Sequence, residues 1–184
     1  MRLKLISKVW EIVLLSSILL APVCRADHLP SELQARGKPE KRLAGIHLER
    51  SKLADVIKMY GKPTKIEKQP SPPDFDMYDY YWNKPKAKLH LVVERGFGIG
   101  EHISLIEVEG SLDSGTIGRT GAGLRLGDNL ADLRRIYGRR FKVRNIPELK
   151  THGVMVQWRS EEYSLVVDLD RRGRIKKLLL LPPE

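Results

Sequence analysis

The sequence has very little cysteine and no pattern of metal ligands. Cys24 is the only cysteine among 184 residues, so an intramolecular disulfide and a thiolate zinc site are both excluded. No two of the five histidines have metal-ligand spacing within one predicted element. His90 and His102 fall on strands predicted to be neighbours, which leaves a shared site open, although ordinary surface histidines explain them as well. We therefore expect no metal and no other cofactor.

The sequence also lacks the common motifs of catalysis. Residues 118–123 are rich in glycine, but they have neither the Gly-Lys-Ser/Thr ending of a P-loop nor the glycine spacing of a dinucleotide fold. A Gly-x-Ser-x-Gly nucleophile elbow is missing too. Asp55 and Asp132 occupy equivalent first-turn positions of two predicted helices, where free amide donors and the helix dipole already explain a carboxylate. We therefore predict that the protein is not an enzyme and interpret residues 118–123 as a linker.

No apolar run approaches the roughly 20 residues of a permanent membrane helix. Residues 12–21 are nonetheless apolar apart from two serines, and they follow three basic residues near the N-terminus. Cys24 and Ala26 then place small side chains at the −3 and −1 positions of a cut before Asp27. We predict that residues 1–26 are a signal peptide and that the protein is exported to the periplasm or the extracellular space.

Cys24 has two interpretations within this signal. It is either discarded with the signal peptide or becomes the lipidated first residue of an anchored lipoprotein. The bulky Val23 stands before it, where lipoproteins usually have Gly, Ala or Ser, so the sequence favours removal.

The chain is short of acidic residues relative to basic ones. Its formal net charge is +10, and removal of residues 1–26 would lower it to about +7. The densest basic run consists of Arg134, Arg135, Arg139, Arg140, Lys142 and Arg144. Nucleic-acid binding calls for interleaved aromatic side chains, and only Phe141 is close. We therefore expect this run to contact another envelope or secreted protein with an acidic surface, or anionic lipid, and not nucleic acid. A solvated basic surface is the simpler alternative.

What the sequence does contain is one stretch that occurs twice. Residues 45–61 and 123–138 share Leu-Ala-Asp and Tyr-Gly at the same internal spacing. Each stretch predicts an amphipathic helix that ends at a glycine. Ser51 can cap the first helix, and either Asp128 or Asn129 can cap the second. Three stretches with period-2 apolar residues follow each helix, as expected for short antiparallel strands.

This double pattern predicts the fold class and the domains. We expect an α+β fold of two tandem repeats, each a helix followed by a three-stranded antiparallel β-meander, with sheets that are shared or packed together. Residues 27–42 would be a flexible linker, 43–112 the first repeat unit and 113–184 the second. Residues 65–76 are rich in proline, serine and charge and are predicted to be a loop.

The first strand of the earlier repeat carries a band of aromatic residues. Alternation puts Tyr78, Tyr80 and Trp82 on one face, which we expect to be the core. Met77 and Tyr81 then lie on the opposite face, where an exposed methionine beside an exposed aromatic suits contact with a partner. Packing within the sheet is the alternative explanation.

Residues in the two copies of the repeated stretch resemble those of a known family. The pieces are Gly45, Ser51, Asp55-Val56, Tyr60-Gly61, Pro63 and Trp82 in the first copy, and Gly123, Asp128, Asp132-Leu133, Tyr137-Gly138 and Trp158 in the second. The pattern over residues 43–181 resembles the repeat of β-lactamase-inhibitor-protein-like domains, and it is similar to the SmpA/OmlA outer-membrane-assembly lipoproteins. The resemblance implies a secreted or periplasmic α+β scaffold that acts by protein–protein contact and needs no cofactor.

Together these patterns favour one function over another. We expect an exported, non-enzymatic protein-binding or envelope-assembly module, whose contact residues are Met77, Tyr81 and four arginines of the basic run, Arg134, Arg135, Arg139 and Arg140. The alternative is a hydrolase-like enzyme with a site between the two repeats. A deep pocket that gathers His, Asp or Glu with perturbed pKa values would favour the enzyme. An open sheet face with exposed apolar residues would favour the binding module.

Overall fold

The computed structural model describes residues 39–96, 100–111, 114–138, 142–146, 151–157 and 164–182. The predicted signal peptide, residues 1–26, lies outside these ranges and so does Cys24. In the described ranges, neither α-helix has the length and hydropathy that a membrane-spanning segment requires.

The described chain consists of ten β-strands, two α-helices and one 3-10 helix. The first half contains β1 (Arg42–Leu43), β2 (Ile46–His47), α1 (Leu53–Tyr60), β3 (Lys65–Gln69), β4 (Phe75–Lys84), β5 (Ala87–Gly96) and β6 (Gly100–Gly110). The 3-10 helix (Gly115–Gly118) then leads to α2 (Leu130–Tyr137), β7 (Lys142–Ile146), β8 (Thr151–Gln157), β9 (Ser164–Leu169) and β10 (Ile175–Leu181).

Eight of the strands form one antiparallel sheet. Strands β3 to β6 pair with one another in succession, and β7 to β10 do the same. The two runs meet where β6 pairs with β10, with Val108 opposite Leu178, so the strand order is β3-β4-β5-β6-β10-β9-β8-β7. Strands β1 and β2 form a separate hairpin, which joins a later loop through a bridge between Leu43 and Thr120.

One face of the sheet and the two helices enclose the hydrophobic core. Alternate residues of β4 and β5 point into it, whereas a register shift interrupts the alternation of β6. The side chains of Trp82, Leu91 and Ile106 have no exposed surface. Val56 of α1 and Leu133 of α2 belong to the same buried cluster. The period-2 alternation that the sequence predicts for β4 and β5 is confirmed.

The predicted fold class is wrong. The chain is mostly β, with 52% of its described residues in strands and eight residues in each α-helix. It does not fold as an α+β pair of repeats, each a helix with a three-stranded meander. Four strands follow each helix, and the β6–β10 pairing joins them all into one sheet. This pairing satisfies backbone hydrogen bonds that two separate meanders would leave unpaired at open edges.

Two edge strands lie where the sequence predicts none. Strand β3 begins the segment 65–76, which is predicted to be a loop, and β7 overlaps the basic run. The side chains of β3 are largely exposed, and Ile66 keeps 54% of its surface in contact with solvent. Backbone pairing with β4 holds this strand in place, so its side chains need no alternating apolar pattern.

The two helices begin differently. Of the two cap candidates that the sequence offers, Asn129 and not Asp128 is the N-cap of α2, and its Oδ1 accepts two backbone N–H groups at 2.7 and 3.2 Å. The N-cap of α1 is Lys52 and not the predicted Ser51, whose Oγ instead accepts the backbone N–H of His47 at 3.0 Å. The N-cap residue of α1 therefore provides no side-chain acceptor, and the N–H of Leu53 donates instead to Glu101 Oε1 of β6 at 2.9 Å.

The two first-turn carboxylates have the structural role that the sequence predicts. Asp55 Oδ2 accepts the backbone N–H of Lys52 at 3.1 Å. Asp132 Oδ2 accepts the backbone N–H of Asn129 at 3.2 Å. Each carboxylate thus satisfies a donor at the start of its own helix.

The Asn129→Ala variant should lose about 1 kcal/mol of unfolding free energy, because two N–H groups at the start of α2 lose their acceptor. Lys52→Ala is the matched control, since it changes the N-cap of α1 without removing an acceptor, and it should stay within about 0.5 kcal/mol of the native protein. Urea denaturation followed by circular dichroism measures both. Equal losses in the two variants would contradict the capping role of Asn129.

Candidate functional site

The loop of residues 118–128 places two arginines side by side on the surface. Leu124 and Leu126 are completely buried, so the extended backbone turns Arg125 outward between them. Arg119 and Arg125 form an antiparallel bridge, in which the two residues lie directly opposite each other. Both arginine side chains are exposed.

Helix α2 brings a third arginine to the same place. Its buried Leu133 faces the core, and Arg135 lies on the exposed side two residues later. Together the loop and the helix form a concavity of about 380 Å³, which we call the basic cleft. It is lined by Arg119, Ala122, Gly123, Arg125, Asp128, Arg135 and Ile136.

Two of the three guanidinium groups in the basic cleft have no acidic side-chain partner among the described residues. Arg135 is paired, since its Nη2 lies 3.3 Å from Asp132 Oδ1. Asp128 also lines the cleft, but its Oδ2 accepts the backbone N–H of Arg125 at 2.8 Å. Arg119 and Arg125 therefore face each other as like charges, an arrangement that is destabilising between directly opposed residues.

The ion pair at the edge of the cleft persists at neutral pH. The pKa of the Asp132 carboxyl lies below its usual value, because it accepts the backbone N–H of Asn129 and a hydrogen bond from Arg135. The carboxyl is therefore ionised at neutral pH and partly neutralises Arg135. The remaining positive charge of the cleft comes from Arg119 and Arg125.

Gly123 lets Arg119 lie close to the backbone of the loop. A Cβ atom at this position would be 3.4 Å from Nη2 of Arg119. The φ angle of Gly123 is 100°, a conformation that residues with a Cβ atom rarely adopt. The glycine-rich residues 118–123, which the sequence predicts to be a linker, thus form a tight turn beside a guanidinium group.

A buried carboxylate ties this loop to the rest of the protein. Glu40 is only 6% exposed, and its Oε2 accepts the N–H of Ala122 at 2.9 Å and the O–H of Tyr137 at 2.7 Å. Its Oε1 accepts the N–H of Arg42 at 3.0 Å. Burial, together with the negative charge of Glu40, raises the pKa of Tyr137, so its hydroxyl stays protonated. The last residues of the predicted linker, 27–42, are thereby attached to the wall of the basic cleft.

The outer face of the sheet, opposite the core, carries Met77 and Tyr81, and both are half-buried. The ring of Tyr81 stacks on that of His90, with 4.5 Å between centroids and 8° between planes. His90 Nε2 lies 3.0 Å from Oδ1 of the buried Asp79, whose Oδ2 accepts a hydrogen bond from Gln69. One ring face of Tyr81 is therefore used in packing within the sheet.

The structure separates the arginines of the predicted contact surface. Arg134 and Arg135 are both exposed on α2, and Arg135 lines the basic cleft whereas Arg134 does not. Arg139 and Arg140 lie outside the described residues. The two other arginines of the cleft come from the 118–128 loop, which the sequence does not identify as a site. Their signal in the sequence is an arginine between two leucines, just after a glycine-rich turn.

His90 and His102 are not brought together. His90 lies opposite Glu107 in the β5–β6 pairing, and His102 lies opposite Glu94, so the two rings occupy different rows of the sheet. Among the residues that the structure describes, no group of three or more His, Cys, Asp or Glu side chains is arranged to hold a metal ion.

A second concavity, of about 530 Å³, lies beside the C-terminal end of α1. It is lined by Met59, Tyr60, Lys84, Pro85, Lys86, Ala87, Ser114, Thr116 and Ile117. Met59 is 52% exposed there. Nothing in the described part of the chain shows what would cover this apolar surface.

No protein-family model matches the chain, and no curated protein matches it in sequence. Among solved structures, the chain is similar to a DUF4309 family protein (YjgB) from Bacillus subtilis. The two are 18% identical, the match covers 75% of this chain and 82% of that chain, and the TM-score is 0.41. A likeness this distant carries no argument about function.

Proposed function

We propose that the protein is an exported, non-enzymatic binding module that contacts an acidic surface of another envelope or secreted protein. The observation that carries this proposal is the opposed pair of Arg119 and Arg125, which have no acidic side-chain partner among the described residues. Export rests on the signal pattern of residues 1–26 in the sequence.

A concave site favours a protein partner over a membrane surface. Headgroups present a broad, flat layer of charge, which a flat basic surface would meet best. The basic cleft is instead a pocket of about 380 Å³ whose arginines surround a small space. An acidic side chain or loop that projects from a partner can enter such a space, and the positive net charge, about +7 once residues 1–26 are removed, would speed the encounter.

Polyglutamate serves as a model of the acidic surface. The protein should bind it at low salt, and the Arg119→Gln/Arg125→Gln variant should bind it at least about fivefold more weakly, since the two uncompensated charges are removed. Binding of the native protein should also weaken between about 50 and 500 mM NaCl, because salt screens exposed charges. Fluorescence anisotropy of labelled polyglutamate measures both effects.

The control is the Lys58→Gln/Lys62→Gln variant. It removes the same formal charge from exposed positions on α1 and directly after it, which do not line the basic cleft. Equal weakening by both variants would mean that total charge, and not the cleft, governs binding. Failure of the native protein to bind polyglutamate at low salt would contradict the proposed function.

A further inference from the structure

The basic cleft also indicates which chemical group its partner presents. We infer that the cleft contains a subsite for one carboxylate group, held between the guanidinium groups of Arg119 and Arg125. The inference rests on the proposed function, because it names the group that an acidic partner would insert.

The two arginines project from the closest positions that an antiparallel pair offers. Backbone hydrogen bonds of 2.8 Å flank the bridge on both sides. Between them, the carbonyl of Arg119 accepts the N–H of Ala44, and the N–H of Arg125 donates to Asp128 Oδ2. Arg119 and Arg125 therefore form a non-hydrogen-bonded pair, in which the Cα atoms are about 4.5 Å apart and the side chains lie closest together.

Two adjacent guanidinium groups are suited to one planar oxyanion. Each guanidinium is a rigid fork of N–H donors, which matches the two oxygens of a carboxylate. An anion between Arg119 and Arg125 would also replace their mutual repulsion by two attractions. Among the described residues no carboxylate forms an ion pair with Arg119 or Arg125, so the subsite is open to a group from another molecule.

The rest of the lining favours a carboxylate over a doubly charged phosphate. The carboxylate of Asp128 lines the cleft and would repel a second negative charge. Arg135 already shares its charge with Asp132. Ala122 and Ile136 provide apolar contacts for the aliphatic stem that carries a carboxylate.

Two sources present this group, the side chain of a glutamate or aspartate and the C-terminal carboxylate of a peptide. N-acetylglutamate N-methylamide has only the side-chain carboxylate, and N-acetylalanine has only the terminal one. The probe that binds more tightly identifies which of the two sources supplies the carboxylate. Inorganic phosphate, added at the same ionic strength, tests the alternative anion.

NMR titration of the ¹⁵N-labelled protein with these three probes tests the inference. At least one carboxylate probe should shift the backbone N–H signals of residues 118–128, and Arg119→Gln or Arg125→Gln should weaken that binding by at least about fivefold. Lys58→Gln, the control, should leave it unchanged. Both arginines are exposed, so the variants should retain the native signals of the core, which the same spectra verify.

The possible results separate the subsite from the proposed function. Tighter binding of phosphate than of either carboxylate would overturn the carboxylate assignment. If no probe shifts the 118–128 signals while polyglutamate still binds, the subsite is refuted and the proposed function stands. If a carboxylate binds but polyglutamate does not, the subsite stands and the acidic protein partner is refuted.

Discussion

The Trp82→Ala variant is expected to lose about 3–5 kcal/mol of unfolding free energy. Trp82 has no exposed surface and is among the largest fully buried side chains of the core. Its ring stacks on Tyr80, with centroids 6.3 Å apart, and its Nε1 donates a 2.8 Å hydrogen bond to the carbonyl of Gly61. Because Gly61 follows α1, the substitution would open a cavity and also remove a tie between the helix end and the sheet.

Urea denaturation followed by circular dichroism measures this loss without depending on tryptophan fluorescence. Trp82→Phe should lie between the native protein and Trp82→Ala, since it keeps an aromatic ring but removes the Nε1 donor. Ile66→Ala is the control, because Ile66 is 54% exposed, and its effect should be within about 0.5 kcal/mol. A loss below about 2 kcal/mol for Trp82→Ala would contradict its central place in the core.

The position of Trp82 could be predicted because its signal is local. Alternation within one strand is enough to assign Tyr80 and Trp82 to the buried face, and their neighbours Leu89 and Leu91 are assigned in the same way. The cap at Asn129 is local as well, since its acceptor and the donors it satisfies lie within three residues. Local chemistry therefore predicts which residues of β4 and β5 are buried, and it predicts the start of α2 to within one residue.

The arrangement of the sheet could not be predicted in the same way. Strands β6 and β10 each present one apolar face, with Val108 and Leu178 completely buried, but that pattern does not state which strand pairs with which. The choice depends on contacts far apart in the sequence. The expectation of two helix-plus-meander units failed for this reason, and also because the edge strands β3 and β7 depend on backbone pairing.

The candidate site could likewise be predicted only in part, because some of its residues meet through the folding of the chain and not through a local pattern. The sequence identifies Arg135 through the density of charge around it, and the structure places this residue on the basic cleft. Arg119 and Arg125 are six positions apart, and they meet only because the loop folds back on itself between buried Leu124 and Leu126. Charge density along the chain is therefore a poor guide to charge density in space.

Glu40 lies in the predicted linker, where the sequence gives no sign of a buried structural role. Its replacement by alanine is expected to lower the unfolding free energy by about 2–4 kcal/mol. The substitution would leave three donors without this acceptor, the N–H groups of Arg42 and Ala122 and the hydroxyl of Tyr137. Buried donors that lose a partner cost about 1–3 kcal/mol each. Tyr137 retains a neighbour, because its hydroxyl lies 2.8 Å from Thr120 Oγ1, which limits the total.

Glu49→Ala is the matched control for Glu40→Ala. Glu49 is a nearby carboxylate whose ion pair with Lys41 is solvent-exposed, and such pairs contribute about 0–1 kcal/mol. Urea denaturation of Glu40→Ala, Tyr137→Phe and the double variant measures the coupling between Glu40 and Tyr137, expected to be about 0.5–3 kcal/mol. Additive losses would mean that the 2.7 Å contact contributes nothing to stability.

The Glu40→Ala substitution should also weaken binding at the basic cleft. Glu40 accepts a hydrogen bond from the N–H of Ala122. Ala122 lines the cleft, and it lies in the turn that connects Arg119 to Arg125. Without this bond the turn is less firmly placed, so binding of polyglutamate should weaken in Glu40→Ala even under conditions where the protein is fully folded. Unchanged binding would mean that the cleft keeps its shape without Glu40. Weakened binding would instead mean that Glu40, at the buried end of the predicted linker, helps to position the surface that we propose contacts the partner.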